Sequence, residues 1–368
     1  EIAVAISLYL IQQKIQHGPL RLIFTVDEET NMTGALSLSA DHVKDAKYVI
    51  NCDSESIHVI CVASAGSCHM EFTRDLHRCA PKGDTALTVR AHALAGGHSG
   101  EVINEGRGNA IKAVADVLYR LSEGGVEYAL ADYKGGVAAN AIPSDASAVV
   151  VVAAKDVDRV KATVAAAEKD FNLVYGETDP NAVFEVTPAD LPKSVLSAED
   201  TTSIVDVINL LHCGVFAMDR RLPRLPALSA SLGTIETRED VLAFQYFPRS
   251  SSDARLQALV RVMPIMAKCT GTKVHIEKPF PAWTESKNSK LQALMADAYK
   301  DVMGKEPRME AMHGGLETGF LYAMNPDLDI VSVGPETHDI HSADERVELD
   351  TVAQLVQVIA GTLERLTK

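Results

Sequence analysis

The hydrophobic positions of this chain fall into two textures. Ile2 to Ile11 is apolar nearly all round, the pattern of a helix buried inside a layered core rather than a surface arm. Gly18-Pro19 stops it, and Leu20 to Val26 follows as a predicted strand. A helical stretch at Gly34 to Leu38 and a short strand at Tyr48 to Cys52 come next. From about Thr85 the pattern alternates, with Leu87, Val89 and Ala91 interleaved with Thr88, Arg90 and His92. That is the signature of a sheet with one wet face. Asn109 caps a predicted helix with Ile111, Val114, Leu118 and Leu121 on one side.

A strand at Ala146 to Ala153 and a helix from Val157 to Phe171 extend this second texture. It returns between Leu228 and Ile276, with strands at Ala227 to Gly233 and Val241 to Phe247 and a helix through Arg255 to Met266. Two related α+β units in tandem are therefore expected. After Pro281-Ala282-Trp283 the first texture resumes. Leu291, Leu294, Met295, Ala298 and Val302 mark a helix ended by Gly304, Asp329 to Val333 reads as a buried strand, and Val352 to Leu363 closes the chain as a helix. The predicted class is α/β: a discontinuous domain, 1–84 plus 282–368, with a mixed sheet and helices on both faces. An α+β domain of two related units is inserted at 85–281.

Composition narrows the function classes. A formal net charge of −15 over 368 residues removes the basic footprint that nucleic-acid binding needs. No apolar run approaches the roughly 20 residues of a membrane-spanning helix. The six cysteines form no C-x-x-C pair, which reads as reduced thiols and a cytoplasmic setting.

The candidate chemistry sits where apolar runs end. Thr25-Val26-Asp27-Glu28-Glu29 closes one run, Asn51-Cys52-Asp53-Ser54-Glu55 the next, and His341 lies far downstream after Gly334-Pro335. Clustered carboxylates repel unless a cation or hydrogen-bond donors gather them, and carboxylate plus imidazole is a donor set that suits zinc. Neighbouring side chains on a strand point opposite ways, so one of Glu28 and Glu29 can hold a metal while the other acts as a base. A solvated acidic loop is the alternative. Asp53 reads as a ligand or a turn residue, and Cys52 as a small buried strand residue.

Gly96-Gly97-His98-Ser99-Gly100 allows a sharp turn presenting His98 to a developing oxyanion, or serves only structure. Asn140 and Arg249 supply an amide and a guanidinium, the natural fork for a carboxylate; a turn residue and a surface ion pair are the alternatives. His313-Gly314-Gly315-Leu316-Glu317 is poor helix material and reads as a loop with its backbone N–H groups turned to a site. The residues alone do not decide between His338 and His341.

Together these segments resemble the cytosolic aminoacyl-histidine (Xaa-His) dipeptidases, within the wider group of co-catalytic zinc aminoacylases and carboxypeptidases. The matching blocks are Thr-Val-Asp-Glu-Glu-Thr with Met-Thr-Gly-Ala, Asn-Cys-Asp-Ser-Glu, Gly-Gly-His-Ser-Gly, Asn-Ala-Ile-Pro, Arg-Ser-Ser, His-Gly-Gly-Leu-Glu and Gly-Pro…His-Ser-Ala-Asp-Glu-Arg-Val, in family order along the whole chain. The resemblance implies a discontinuous zinc-peptidase domain with an inserted lid, and hydrolysis of small dipeptides by a metal-bound hydroxide. Glu28 would be the general base, while Glu29, Asp53 and His341 would be zinc ligands. His98 would polarise the scissile carbonyl, Asn140 and Arg249 would hold the substrate's carboxyl end, and His313 and Gly315 would also line the substrate. The implied protein is cytoplasmic and homodimeric through the lid.

Relatives also carry a His-x-Asp block and a Gly-x-Asp-Asn-Gly block, which supply a further zinc ligand and the bridging aspartate. Neither block occurs in these 368 residues. The expectation is that a segment belonging to this domain precedes Glu1, and that this chain alone binds fewer than the two zinc ions of the intact site. Two other readings share the blocks: a non-catalytic homologue acting as a binding or dimerisation module, and an amidohydrolase acting on N-acyl amino acids.

Overall fold

A computed structural model of the chain describes residues 2–28, 32–220, 225–340 and 344–368. Two compact units divide it, Glu1–Gly66 with Phe280–Lys368, and Ser67–Pro279.

The first unit is built on a four-stranded sheet in the order Tyr48–Asn51, Asp329–Ser332, Val59–Ser64, Arg308–Met312. The first two strands pair in parallel, with Tyr48 opposite Asp329 and Asn51 opposite Ser332. Val59–Ser64 and Arg308–Met312 are also parallel, whereas the central contact, Ser332 with Cys61, is antiparallel. The sheet is therefore mixed, and both faces are covered because successive side chains on a strand point opposite ways. Ile60 and Val62 pack with Ile6, Leu291, Met295, Leu355 and Ile359 from three helices, Ile2–Leu10, Lys290–Met303 and Leu349–Arg365. Cys61 and Ile330 join Val43, Trp283, Leu316 and Leu328 in a separate cluster. Gly304 ends the middle helix at a left-handed φ of 70°, which a residue without a Cβ adopts freely. Ser64 and Trp283 exchange backbone hydrogen bonds of 3.0 and 3.1 Å, so the chain leaves this unit and re-enters it side by side.

Two expectations are corrected here. Leu20 to Val26 is not a strand; its composition suits one, but no neighbouring strand among the described residues offers it a ladder, and Phe24 and Val26 are 50% and 65% exposed. A strand exists only through its partners. The opening helix is also less enclosed than its apolar sequence suggests. Ile6 and Leu10 are buried, but Leu8 and Tyr9 on its other side are exposed.

The second unit carries eight strands along one continuous path: Val183–Ala189, Thr85–His92, Ala146–Val152, Tyr128–Gly135, Pro226–Thr237, Val241–Ser250, Met70–Asp75, Lys273–Ile276. The first four and the last four form two halves. Where Tyr128–Gly135 meets Pro226–Thr237, only two residue pairs join them, Ile235 with Gly135 and Glu236 with Lys134. Ala110–Glu123 and Val157–Tyr175 accompany the first half, Ala198–Leu210 and Asp253–Thr270 the second. The Asn109 side chain accepts from the Lys112 N–H, capping the first of these helices, and Val114, Leu118 and Leu121 bury its apolar side as the spacing predicts. The insertion begins at Ser67 rather than at 85. Met70–Asp75 pairs with Val241–Ser250 and Lys273–Ile276, and its short, charged sequence hides a strand that only distant partners define.

One close approach shapes this unit. Gly136 has φ of 72°, and a Cβ there would strike the carbonyl oxygen of Gly233; a Cβ on Gly233 would strike that of Ala139. The turn over residues 136–140 is thereby seated on an irregularity in Pro226–Thr237, whose register shifts between Leu232 and Thr234. Among the described residues no helix is long and apolar enough to cross a membrane. We expect Gly233→Ala to cost about 2–4 kcal/mol in chemical denaturation, because backbone has to move on both sides. Gly314→Ala should cost under about 1 kcal/mol, since only the flexible Met312 side chain lies within 3.4 Å of the added carbon.

Candidate active site

The parallel pairing of Tyr48–Asn51 with Asp329–Ser332 sets the first group of candidate residues, because both chains leave the sheet at the same end. In open α/β sheets, sites form at the carboxyl ends of such strands. Asp53 follows the first strand and is exposed. Its turn is held by a relay of side chains: Ser54 Oγ donates to Ser332 Oγ at 2.9 Å, Ser332 Oγ donates to Asn51 Oδ1 at 2.7 Å, and the Asp53 N–H donates to the same Asn51 oxygen at 3.2 Å. Backbone bonds continue the seam. The Ser54 N–H donates to the Val333 carbonyl at 3.3 Å, and the Thr337 N–H to the Glu55 carbonyl at 3.0 Å. Glu336 accepts from Ser56 Oγ at 2.9 Å and from the Ile57 N–H at 3.2 Å. Gly334 lies so close to Ser54 that a Cβ would run into the Ser54 carbonyl oxygen.

This seam carries the ribbon Thr337–His338 with Arg346–Val347, whose strands flank His341 in the sequence. His341 and Glu29 lie outside the described residues. His338 is described, and its Nε2 lies 2.8 Å from Glu348 Oε1, so this histidine is tied to its own ribbon. Cys52 packs against the apolar cluster around Ile60. Burial pushes its thiol up to about 11, but the residue is half-buried and lies one place past the strand end rather than in the strand.

Glu28 is helical and follows no strand, which corrects the local geometry expected for it. Asp27 adopts a left-handed φ of 57°, a conformation that aspartate tolerates better than most residues. The Met32 N–H donates to the Asp27 carbonyl at 2.8 Å. Gly34 then packs against Val26, where a Cβ would meet its backbone nitrogen. Thr25 Oγ1 donates to Glu317 Oε2 at 2.8 Å, tying this stretch to the segment that contains His313 and Gly315. That segment is a loop, as its glycines predict. The Ala65 N–H bonds the carbonyls of both Met312 and Gly314 at 3.0 Å. His313 is buried beneath it, 5% exposed. Gly315 faces the Phe280 ring, whose nearest atom lies 3.0 Å from where a Cβ would stand. Among the described residues no three His, Cys, Asp or Glu side chains gather tightly enough to hold a metal. Asp53 contributes one exposed carboxylate, and the other two expected ligands fall in undescribed positions.

In the second unit the sequence candidates converge. Gly96 and Gly97, at φ of 62° and 119°, turn the chain so that His98 pairs with Ala141 and Gly97 with Ile142. Asn140 thus lies beside His98, and the Ser99 N–H donates to the Asn140 carbonyl at 2.8 Å. Arg249 reaches the same place from Val241–Ser250. Its Nε donates to Ser99 Oγ and its Nη2 to His98 Nε2, both at 3.3 Å, while its guanidinium carbon lies 4.8 Å from the Phe247 ring centroid. Arg249 is 5% exposed, and burial pushes its guanidinium down to about 10. It stays charged at neutral pH without a carboxylate of its own: no ion pair among the described residues neutralises it. A buried cation so placed favours an incoming anion. Gly97, Ala141 and Ile142 also line a cleft of about 970 Å³ along the sheet.

The model of peptidase family M20/M25/M40 matches residues 2–365, and the chain belongs to this family of peptide-bond hydrolases. It is 28% identical over 360 residues to the cytosol non-specific dipeptidase of Escherichia coli (strain K12), across 97% of this chain and 73% of that protein. The crystal structure of aminoacylhistidine dipeptidase from Vibrio alginolyticus matches with a TM-score of 0.90 at 27% identity, covering 98% of this chain and 74% of that one. A tripeptidase of Staphylococcus aureus subsp. aureus mu50 shares the fold at a TM-score of 0.50 and 13% identity, with 99% and 70% covered.

Sequence reasoning missed the Ser54–Ser332–Asn51 relay and the Thr25–Glu317 contact, whose partners lie hundreds of residues apart; Gly334-Pro335 was the only local hint of a tight seam. Gly334→Ala should lower the unfolding midpoint by several degrees, equivalent to about 2–4 kcal/mol. An unchanged thermal midpoint in calorimetry would contradict the close approach.

Proposed function

We propose that this chain carries the catalytic apparatus of a metal-dependent dipeptidase acting on small dipeptides of the Xaa-His type. The observation that carries the reading is Arg249: a buried guanidinium that forms no ion pair among the described residues, flanked by His98 and next to Asn140. A dipeptide's free carboxylate is the anion that such a site suits, and the two relatives matched over nearly the whole chain are a cytosol non-specific dipeptidase and an aminoacylhistidine dipeptidase.

Glu29, Asp53 and His341 would hold the metal, and their carboxylate and imidazole donors suit zinc. When bound, the metal supplies Lewis-acid activation of the attacking water. The remaining work belongs to the chain. Glu28 takes a proton from that water and delivers it to the departing amine. His98 donates to the carbonyl oxygen as negative charge develops on it. Arg249 and Asn140 hold the substrate's carboxyl end, and His313 and Gly315 also line the substrate. Three donors are too few for two zinc ions, so the chain itself is expected to bind at most one. The inserted unit serves as lid and homodimer contact, which a monomer mass in sedimentation would overturn. A cytoplasmic site of action accords with the cytosolic relative.

Three measurements test the reading. Glu28→Gln should lower kcat for an Xaa-His dipeptide by about 10²–10⁴, and unchanged turnover would remove Glu28 as base. Arg249→Gln should raise KM by about 30-fold or more for free-carboxylate dipeptides but leave C-terminally amidated ones nearly unaffected. Zinc titration followed by calorimetry should give no more than one equivalent per chain; two tightly bound equivalents would overturn the three-donor set.

A further inference from the structure

His98 has a charged neighbour on each side of its ring. Arg249 Nη2 lies 3.3 Å from Nε2, and Glu101 Oε1 lies 3.2 Å from Nδ1 as an ion-pair contact outside hydrogen-bond geometry. A guanidinium can only donate, so Nε2 accepts and the ring proton resides on Nδ1, facing the Glu101 carboxylate. The backbone makes this arrangement reproducible. His98 is fixed by its ribbon pairing with Ala141, the Ser99 N–H is tied to the Asn140 carbonyl at 2.8 Å, and the helical turn Ser99–Val102 that follows brings residue 101 back toward residue 98.

We propose that Glu101 is a positioning residue for His98: its carboxylate holds the Nδ1 side of the imidazole and so keeps Nε2 directed at the substrate. A substrate carboxylate that engages Arg249 draws the guanidinium away from Nε2. Nε2 then takes a proton from solvent and donates it toward the carbonyl oxygen. The resulting imidazolium keeps its Nδ1 proton against Glu101, whose negative charge offsets the added positive one. His98 is thus oriented by Glu101 and released by substrate binding at Arg249. This inference rests on the reading of His98 as the group that polarises the carbonyl, although the placement of its ring proton does not.

The test uses the full chain. Glu101→Leu should lower kcat about 10-fold for an Xaa-His dipeptide with KM within about twofold, and Glu101→Gln, which keeps an acceptor for the Nδ1 proton, should restore most of it. In parallel, ¹⁵N-histidine NMR reports the His98 tautomer, with its resonances identified by their loss in His98→Asn. In Arg249→Met the Nδ1-protonated form should persist, and in Arg249→Met with Glu101→Leu the ring should shift toward the Nε2-protonated form. An unchanged kcat in Glu101→Leu, a loss shared equally by KM, or the same tautomer in both Arg249→Met backgrounds would overturn the role of Glu101. A chain with no peptidase activity at all would instead count against the proposed reaction, while the tautomer comparison would still decide the pairing.

Discussion

The parallel pairing of two short strands holds the first unit's candidate site together. Asn51 and Ser332 stand 281 residues apart in sequence, yet they are opposite each other in the sheet. Parallel neighbours cannot be joined by a tight turn, and here the connection contains an entire inserted unit. Loop-closure entropy grows only with the logarithm of loop length, so the long excursion adds little cost once the Ser64–Trp283 bonds clamp its two ends. In return the pairing sends two loops off one end of the sheet. The turn at Asp53 and the ribbon whose strands flank His341 in the sequence are stitched together there by Ser54, Glu336 and Thr337, with Gly334 admitting the close approach.

Electrostatics shape the inserted unit instead. Burying a cation is costly unless something answers it. Arg249 is met by a hydroxyl, an imidazole nitrogen and an aromatic face, which satisfy its donors without neutralising its charge. Structural arginines elsewhere in the same unit show the contrast. Arg74 has Asp200 and Glu199, and Arg90 has Asp145 and Glu185. The local architecture that positions Arg249, from the glycine turn before His98 to the seat of the 136–140 turn on Gly233, therefore maintains a place where positive charge is unspent.

Much of the fold was legible because its periods are local. The helices at Ala110–Glu123, Lys290–Met303 and Leu349–Arg365 declare themselves by apolar spacing and caps, and Thr85–His92 by alternation. Leu20 to Val26 misled because strand propensity describes a surface suited to pairing and says nothing about whether a partner is present. Met70–Asp75 escaped notice for the converse reason: its ladder partners lie far along the chain, and its own residues are too polar to announce it. The insertion boundary moved with that strand.

For function, the sequence by itself determined the inventory: the acidic run with Glu28, Asp53 after a strand, the glycine-flanked His98, Asn140, Arg249 and the His313 loop, in an order shared by one peptidase family. These are short blocks whose chemistry depends on residue type and nearest neighbours, so they survive reading in one dimension. What only the tertiary structure decided is which of them meet and in what electrostatic state. Arg249 reads on paper as a fork for a carboxylate or as a surface ion pair, and folding buries it with no ion pair among the described residues. His338 and His341 are alike on paper, and the ribbon commits His338 to Glu348. Glu101 is an ordinary exposed acid until the turn returns it to His98. Burial, and contact between residues distant in sequence, are properties of the packed chain, and local patterns do not encode them.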